Sequence, residues 1–211
     1  MNVITLDFET YYDTEHSLAH LSAVQYVHSP LFKVWGVGIK MNDEPTEWFG
    51  AEECADAIAQ IQWAEAAVVC HNTLFDAYIL TQYYKVYPKY YYDTAAMARG
   101  LAPNESSSLK NTCERMFPND KTMRKGDELV NAKGIFDLPP DIEEQIAGYC
   151  IQDVDLTYAL YNVMQPNYPQ SELDLIDLTC RMYVEPKLFL NRTLLQAHKD
   201  EIVANTAHLI Q

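Results

Sequence analysis

Residues 3–9, VITLDFE, combine an apolar, β-prone run with two acidic side chains at its end. The pattern predicts a buried strand that ends at a polar site. Because side chains alternate between the two faces of a strand, Asp7 and Glu9 share one face. They also lie at the carboxyl end of the strand, where open α/β sheets place their functional sites. Neighbouring carboxylates repel each other, so the pair suggests a bound cation, although the D-x-E triplet alone is common.

The rest of the sequence predicts strands and helices in the order of a mixed α/β domain with a central sheet. Four more strands are predicted at residues 32–39, 46–49, 66–70 and 90–92, and the first three strands of the chain are expected to form an antiparallel meander. Helices are predicted at residues 51–63, 74–79, 93–99, 106–117, 141–164, 171–183 and from 192 to the last residue, Gln211. Asp141 and Asn191 are expected to cap two of these helices. Residues 118–140, which include Gly126, are expected to form a loop.

Composition limits the class of protein. The chain has 211 residues, enough for one domain or for one domain and the start of a second. No apolar run approaches the roughly 18 residues of a membrane span, and acids stand near the N-terminus where a signal peptide would be apolar. Five cysteines without a C-x-x-C pair disfavour a disulfide framework or a zinc knuckle and predict a cytoplasmic protein. The sequence contains no glycine-rich nucleotide-binding motif.

The formal net charge of −15 opposes free-standing, sequence-independent binding to DNA or RNA. Neutralisation of phosphates by basic residues supplies most of the affinity in that kind of binding. Two interpretations of the acidity stay open: a solvated acidic surface, or carboxylates that cluster to hold cations. Composition does not separate them, but the positions of the acids do.

Two further acids occur in patterns that place them beside other polar groups. In HNTLFDAYIL, Asn72 and Asp76 are four residues apart and would share one face of a helix. Asp76 stands among apolar residues, so it is either a helix cap or a poorly solvated, paired acid. His71 is interpreted as a packing residue at a strand end rather than a metal ligand. In YCIQDVDLTY, Tyr149 and Asp153 lie on one face of the predicted long helix.

The three motifs together resemble the DEDDy group of DnaQ-like 3′–5′ exonucleases in order and spacing. These motifs are D-x-E after the first strand, H-N-x-x-x-D after a middle strand and Y-x-x-x-D on a late helix. The resemblance covers about residues 1–165, with none of the acids missing. It implies an α/β, RNase H-like fold, with a mixed central sheet flanked by helices and a C-terminal helical extension. The related DEDDh group has a histidine where this chain has Gly148, so the histidine version is excluded.

The resemblance also implies roles for the site residues. Two divalent metal ions, Mg²⁺ or Mn²⁺, would be held by four acids: Asp7, Glu9, Asp76 and Asp153. Tyr149 would help to orient the attacking water. Carboxylate oxygens are the ligands that such hard cations prefer, and two ions roughly 3.5–4 Å apart can bridge a scissile phosphate. The ions would then supply the attraction for a polyanionic substrate that the acidic chain lacks.

Other residues are expected to contact the substrate. Asn72 would hydrogen-bond near the scissile phosphate, as the matching residue does in the family. Phe8, Tyr11 and Tyr12 flank the first motif and could stack on the terminal base, although core packing explains Phe8 at least as well. The predicted loop also contains a dense basic patch: Lys121, Arg124 and Lys125. This patch either steers a single strand or is a solvated loop.

The C-terminal part of the sequence indicates which members of the DEDDy group the chain resembles most. Residues 173–211 resemble the segment that follows the exonuclease domain in family A DNA polymerases, and YYYDTAAMAR, SSSLK and YCIQDVDLTYALY are similar to the phage-type branch. Glu-Pro-Lys at 185–187 stands where a glycine is common, and Asn191 where an aspartate is common. The resemblance predicts residues 1–165 as the exonuclease domain and 166–211 as a helical extension that begins a polymerase domain in the same longer chain.

The sequence therefore predicts a monomeric proofreading exonuclease of a phage-type polymerase, with no membrane partner. It would release nucleoside monophosphates from single-stranded or frayed DNA 3′ ends. Unpairing costs least at a mismatch, which gives selectivity without reading sequence. Three alternatives stay open: a stand-alone or RNA-directed exonuclease similar to RNase D, a catalytically silent module that binds a partner protein, and an acidic domain whose motifs coincide by chance.

Overall fold

The computed structural model describes residues 1–125 and 132–209. Gly126 and the final residue Gln211, which belong to the predicted loop and the predicted last helix, lie outside the described residues. The strands are β1 (Asn2–Thr10), β2 (Val34–Met41), β3 (Glu47–Gly50), β4 (Ala66–Cys70) and β5 (Tyr90–Asp93). The α-helices are α1 (Ala23–Val27), α2 (Cys54–Ala59), α3 (Thr73–Tyr78), α4 (Thr94–Leu101), α5 (Leu109–Met116), α6 (Pro140–Met164), α7 (Gln170–Val184) and α8 (Arg192–Leu209).

The strands form one mixed sheet in the order β3-β2-β1-β4-β5. β1 pairs antiparallel with β2, and β2 pairs antiparallel with β3, which confirms the predicted meander. β4 is parallel to β1, and β5 is parallel to β4. The carboxyl ends of β1, β4 and β5 therefore lie at the same edge of the sheet. The D-x-E and H-N-x-x-x-D motifs both stand at that edge.

Alternation along β1 sorts its side chains onto two faces of the sheet. Ile4, Leu6 and Phe8 are buried in the core that α3 and α7 cover. Asp7 and Glu9 point to the other face, which α6 covers. Burial of the apolar set fixes the register of β1, because a shift by one residue would bring the two acids into the core. The hydrophobic pattern thus determines where the acids point.

Gly38 of β2 allows α6 to approach the sheet closely. It lies opposite Asp7 in the β1–β2 register. A Cβ atom added at Gly38 would lie 2.9 Å from the Cys150 Sγ and 3.1 Å from the Val154 Cγ2, closer than packed atoms normally come. The absence of a side chain at Gly38 therefore lets the middle of α6 lie against β1, beside the two acids.

Of the two predicted helix caps, one is absent from the structure and the other is present. α6 begins at Pro140, and its N-cap residue Pro139 offers no side-chain hydrogen bond, so the prediction that Asp141 caps this helix is wrong. Proline suits the first helical position because the amide it lacks has no partner there, and Asp141 in the first turn still complements the helix dipole. Asn191 does cap α8, since its Oδ1 accepts a hydrogen bond from the Leu194 amide at 3.0 Å.

The helix predicted at 51–63 is shorter in the structure. α2 covers only Cys54–Ala59, and a separate 3₁₀ turn follows at Trp63–Glu65. The Trp63 indole donates a hydrogen bond to the Ile58 carbonyl oxygen at 2.8 Å. This contact joins the 3₁₀ turn to α2 just before β4 begins.

The two C-terminal helices differ in their burial. α7 packs on α3 and β5, and its Leu173, Cys180 and Val184 are buried. The segment before α8 is open to solvent, with Leu188 and Phe189 exposed by 93% and 86%. Within residues 1–125 and 132–209, the structure has no helix with the length and apolar content that a membrane span requires.

Candidate active site

The first two acids of the site lie side by side on β1. Part of each residue, Asp7 and Glu9, is exposed, but the carboxyl groups themselves are largely shielded from water. Burial, and then the charge of Asp153, raises the pKa of Asp7 to about 7. Burial, and then the charge of Asp7, raises the pKa of Glu9 well above its ordinary value. Both shifts have the direction expected of carboxylates that are crowded together away from water.

Asp76 reaches the same place from α3. The residue is 3% exposed, and its Oδ1 accepts a hydrogen bond from the Phe8 amide of β1 at 3.1 Å. Burial, and then the charge of Asp7, raises the pKa of Asp76 well above its ordinary value. Asn72 occupies the N-cap position of α3. The structure therefore supports the interpretation of Asp76 as a poorly solvated acid and not as a cap.

Asn72 stands just before α3, in the left-handed region of the backbone with φ of 74° and ψ of 54°. The prediction that Asn72 and Asp76 share one face of a helix is wrong, because Asn72 precedes the helix. Its amide donates a hydrogen bond to the Asp93 Oδ1 at 3.0 Å, and its side chain is exposed. Asparagine tolerates this conformation better than most residues.

Asp93 is a supporting residue that the sequence reasoning missed. Its Oδ1 also accepts a hydrogen bond from the Ala95 amide at 2.9 Å, so one buried carboxylate caps α4 and holds the turn at Asn72. An acid that directly follows a strand and precedes a helix is the signal that could have indicated this role.

The fourth acid comes from α6, one turn after Tyr149. Asp153 is 6% exposed, and its Oδ2 accepts a charged hydrogen bond from the Lys125 Nζ. Its Oδ1 is buried and has no hydrogen-bond partner among residues 1–125 and 132–209. The Nζ of Lys125 also lies 4.6 Å from the centre of the Tyr149 ring. A buried carboxylate oxygen without a partner costs free energy, which a bound cation would offset.

Cys150 is a second residue that the sequence reasoning missed. Its Sγ donates a weak hydrogen bond to the main-chain oxygen of Asp7 at 3.3 Å. One ligand atom from each of Asp7, Glu9 and Cys150 lies within 4.8 Å of the others. Asp76 and Asp153 are outside that closest set but interact electrostatically with the β1 acids. The position of Cys150 directly after Tyr149 is its only sequence signal.

The donor chemistry of this acidic cluster (Asp7, Glu9, Asp76 and Asp153) fits hard divalent cations. Its ligand atoms are carboxylate oxygens, and one of them, the Asp153 Oδ1, is buried without a partner among the described residues. Desolvation and mutual repulsion both disfavour the ionised acids without a counter-ion. His71 is not a candidate ligand in this arrangement, because its Nδ1 and Nε2 contact the Thr94 hydroxyl at 2.9 Å and the Ser107 carbonyl oxygen at 2.8 Å.

The aromatic residues around the first motif are mostly packed inside the protein. Phe8 is 4% exposed and stacks on Tyr84, with ring centres 5.7 Å apart. Tyr11 is 7% exposed and donates a hydrogen bond to the Asp13 carboxylate at 2.7 Å. Tyr12 is partly exposed. Stacking of these rings on a base stays a prediction, and Tyr12 has the most accessible ring.

The basic patch is divided by the structure. Lys121 is exposed. Arg124 fastens its own loop, because its guanidinium donates hydrogen bonds to the Phe117 and Pro118 carbonyl oxygens at 2.9 and 3.0 Å. Lys125 turns inward onto Asp153. The three residues therefore do not form one uniform surface for a strand.

Comparison with protein families matches residues 54–168 to a family described as 3′–5′ exonuclease. The matched segment is 115 of the 211 residues and contains Asp76, Tyr149 and Asp153. Asp7 and Glu9 precede it. No curated protein matches the sequence significantly.

Solved structures share the RNase H-like fold. RNase D of Trypanosoma brucei has a TM-score of 0.65 at 15% identity, over 90% of this chain and 68% of that chain. NrnC of Brucella melitensis with bound Mg²⁺ has a TM-score of 0.55 at 14% identity, over 87% and 83%. The family B DNA polymerase of Pyrobaculum calidifontis has a TM-score of 0.53 at 16% identity, over 79% and 25%. These likenesses establish the fold. The family match covers more than half of this chain, which shows that the chain belongs to the 3′–5′ exonucleases.

Proposed function

We propose that this chain is the proofreading exonuclease part of a phage-type family A DNA polymerase. It removes nucleotides one at a time, as monophosphates, from single-stranded or frayed DNA 3′ ends. The observation that carries the proposal is the convergence of four acids from three distant segments at one sheet edge. One buried carboxylate oxygen there has no partner within the part of the chain that the structure describes. The matched family model, which is named for DNA polymerase A, supports the choice of DNA.

Asp7, Glu9, Asp76 and Asp153 are the proposed ligands of two divalent ions, Mg²⁺ or Mn²⁺. When bound, such ions favour deprotonation of the attacking water and stabilise the leaving 3′ oxygen. Asp7 and Glu9 lie opposite Gly38 and Gly36 of β2, whose pairing fixes the position of β1 at the site. Asp76 and Asp153 stand on helices packed against that strand. A rigid ligand set of this kind holds the reacting groups in a productive geometry.

Tyr149 and Asn72 are the proposed contacts to water and substrate. Tyr149 lies one helical turn before Asp153, so its phenol can hydrogen-bond an attacking water beside the acidic cluster. Asn72 presents an exposed side chain next to the start of α3, where it can donate a hydrogen bond to a phosphate oxygen. Tyr12 is the proposed stacking partner of the terminal base, and Lys121 is a proposed contact to the DNA further from its 3′ end, because both side chains are accessible.

Replacing Tyr149 by phenylalanine is expected to lower the cleavage rate by about tenfold to a hundredfold, since orientation of the water is lost. Mn²⁺ affinity should stay the same, because the phenol contacts water and not the ion. Isothermal titration calorimetry and single-turnover cleavage measure the two quantities. Tyr158→Phe is a matched control on the same helix, where the hydroxyl bonds to Asp43 at the surface. Loss of Mn²⁺ affinity in Tyr149→Phe would show that its role is misassigned.

We further propose that residues 1–165 form the exonuclease domain and that 166–211 lead into a polymerase domain. α7 is packed on the exonuclease core, whereas the outer face of α7 and the segment before α8 expose large apolar side chains: Leu175, Leu178, Met182, Leu188, Phe189 and Leu190. This many exposed large apolar side chains within one short segment favour an interface with a further domain. All five cysteines are free and buried, which is consistent with the predicted cytoplasmic location.

The proposal is tested by digesting matched DNA and RNA oligonucleotides, labelled at either the 3′ or the 5′ end, with and without Mn²⁺. A 3′ label should appear at once in a mononucleotide, and a 5′ label should appear in a ladder of shortening products. Release of the 3′-labelled mononucleotide and formation of the 5′-labelled ladder should both require Mn²⁺. DNA should be degraded faster than RNA, and a mismatched duplex end faster than a matched one.

Faster digestion of RNA would contradict the proofreading proposal and favour the RNase D-like alternative. The fold likeness to RNase D from Trypanosoma brucei keeps that alternative open. Absence of any digestion by a folded, Mn²⁺-binding protein would favour the silent binding module.

A further inference from the structure

Lys125 lies inside the acidic site and not on its outer surface. Its Nζ makes an ion pair with the Asp153 Oδ2 and stands over the Tyr149 ring. The Lys125 side chain is 22% exposed, and that of Asp153 is 9% exposed. A partly desolvated ammonium group in this position interacts more strongly with both partners than a surface lysine does.

The loop that carries Lys125 is fastened to α6 and to itself. The Gln152 side chain donates a hydrogen bond to the Arg124 carbonyl oxygen at 3.0 Å, directly before Lys125. Arg124 in turn binds the Phe117 and Pro118 carbonyl oxygens. Because Gln152 adjoins Asp153 in sequence, the same turn of α6 holds the loop and presents the acid. The placement of Lys125 is therefore built into the fold.

Lys125 leaves one oxygen of Asp153 available. The Lys125 ammonium donates to the Oδ2, while the Oδ1 is buried and meets no partner from residues 1–125 or 132–209. Its positive charge also interacts favourably with Asp7 and Glu9, the two β1 acids of the cluster. One ammonium group thus orients the fourth acid and reduces repulsion across the acidic cluster.

We propose that Lys125 is a positioning residue of the exonuclease site, which fixes Asp153 and Tyr149 relative to each other and weakens cation binding through its own positive charge. The inference rests on the proposed function, because it assumes that Asp153 binds a divalent ion. It differs from the steering role, in which Lys125 would contact only the incoming strand.

The positioning role and the steering role predict different effects of Lys125→Met on Mn²⁺ binding. If Lys125 is a positioning residue whose positive charge repels the metal ion, removal of that charge should tighten Mn²⁺ binding by about tenfold. The same change should lower kcat at saturating DNA by at least about tenfold, because Asp153 and Tyr149 lose their shared partner. Lys125→Arg keeps the charge and should restore much of both values. A merely structural or steering role would not tighten Mn²⁺ binding.

The experiment measures Mn²⁺ affinity by calorimetry and by the electron paramagnetic resonance signal of free Mn²⁺, together with kcat and KM. Lys89→Met is the matched control, because Lys89 is exposed and stands at the opposite end of β5 from the site. Tighter Mn²⁺ binding with a lower kcat, reversed by arginine, supports the proposal. Unchanged or weaker Mn²⁺ binding in folded Lys125→Met overturns it. Failure of the wild-type protein to bind Mn²⁺ would instead overturn the proposed function.

Discussion

Replacing Asp7 and Glu9 together by alanine is expected to lower nucleotide release by at least about a thousandfold. The two carboxylates share one face of β1, and a divalent cation held there contributes several kcal/mol to the stabilisation of transition-state charge. The loss should appear in the release of mononucleotides from a 3′-labelled DNA oligonucleotide. It should not be rescued by more Mn²⁺, because two ligands of the site are absent.

The same variant should be folded and, without divalent ions, at least as stable as the wild type. Crowded carboxylates with raised pKa values destabilise the ion-free protein, so their removal relieves repulsion. Glu52→Ala with Asp56→Ala is the matched control, since it removes two exposed acids near α2 and should leave nucleotide release unchanged. Unchanged release by the Asp7 and Glu9 variant would point to contamination or to a site elsewhere.

Mn²⁺ or Mg²⁺ at about a hundred times the dissociation constant is expected to raise the melting temperature by roughly 5–10 °C. A ligand that binds only the folded state stabilises it by about 2.7 kcal/mol at that concentration, and each kcal/mol shifts the melting temperature of a chain of this size by about 2–4 °C. Differential scanning calorimetry in EDTA and in Mn²⁺ at equal ionic strength measures the shift. Equal melting temperatures in both buffers would contradict a divalent metal site.

The stabilisation by Mn²⁺ should also depend on pH in a defined direction. In the ion-free protein, Asp7 keeps its proton up to about pH 7, whereas in the unfolded chain it loses it near its ordinary value of 3.8. The folded state therefore binds more protons in this range, and the free energy of unfolding falls as the pH rises from about 4 through about 7. Mn²⁺ must displace these protons, so its effect should be larger at pH 8 than at pH 5. A larger effect at pH 5 would contradict the assignment.

The central sheet and the directions in which Asp7, Glu9, Tyr149 and Asp153 point could be predicted, because the period of a strand or a helix determines them. The strand predicted at residues 66–70 coincides with β4. A short apolar segment between two helical patterns favours a buried strand, because it is too short for a typical helix. Asp7 and Glu9 share a face because the strand period is two, and the same pattern buries Leu6 and Phe8 on the other face. The positions of Tyr149 and Asp153 follow from the period of α6 in the same way.

Other features depend on tertiary contacts that a single sequence does not show. The left-handed backbone of Asn72 is held by Asp93, 21 residues later in the chain. The inward orientation of Lys125 depends on the Gln152 side chain that holds its loop. The close approach of Cys150 to Asp7 depends on Gly38 in the neighbouring strand. Each of these residues looks unremarkable in isolation, because its role comes from a partner distant in sequence.

The most direct measurement is the anomalous diffraction signal from crystals of this chain soaked in Mn²⁺. The account predicts two peaks about 3.5–4 Å apart at the carboxyl edge of β1. Both peaks should be contacted only by carboxylates from the acidic cluster and by water. Absence of a peak there, or Asp76 or Asp153 lying out of reach of the ions that Asp7 binds, would contradict it.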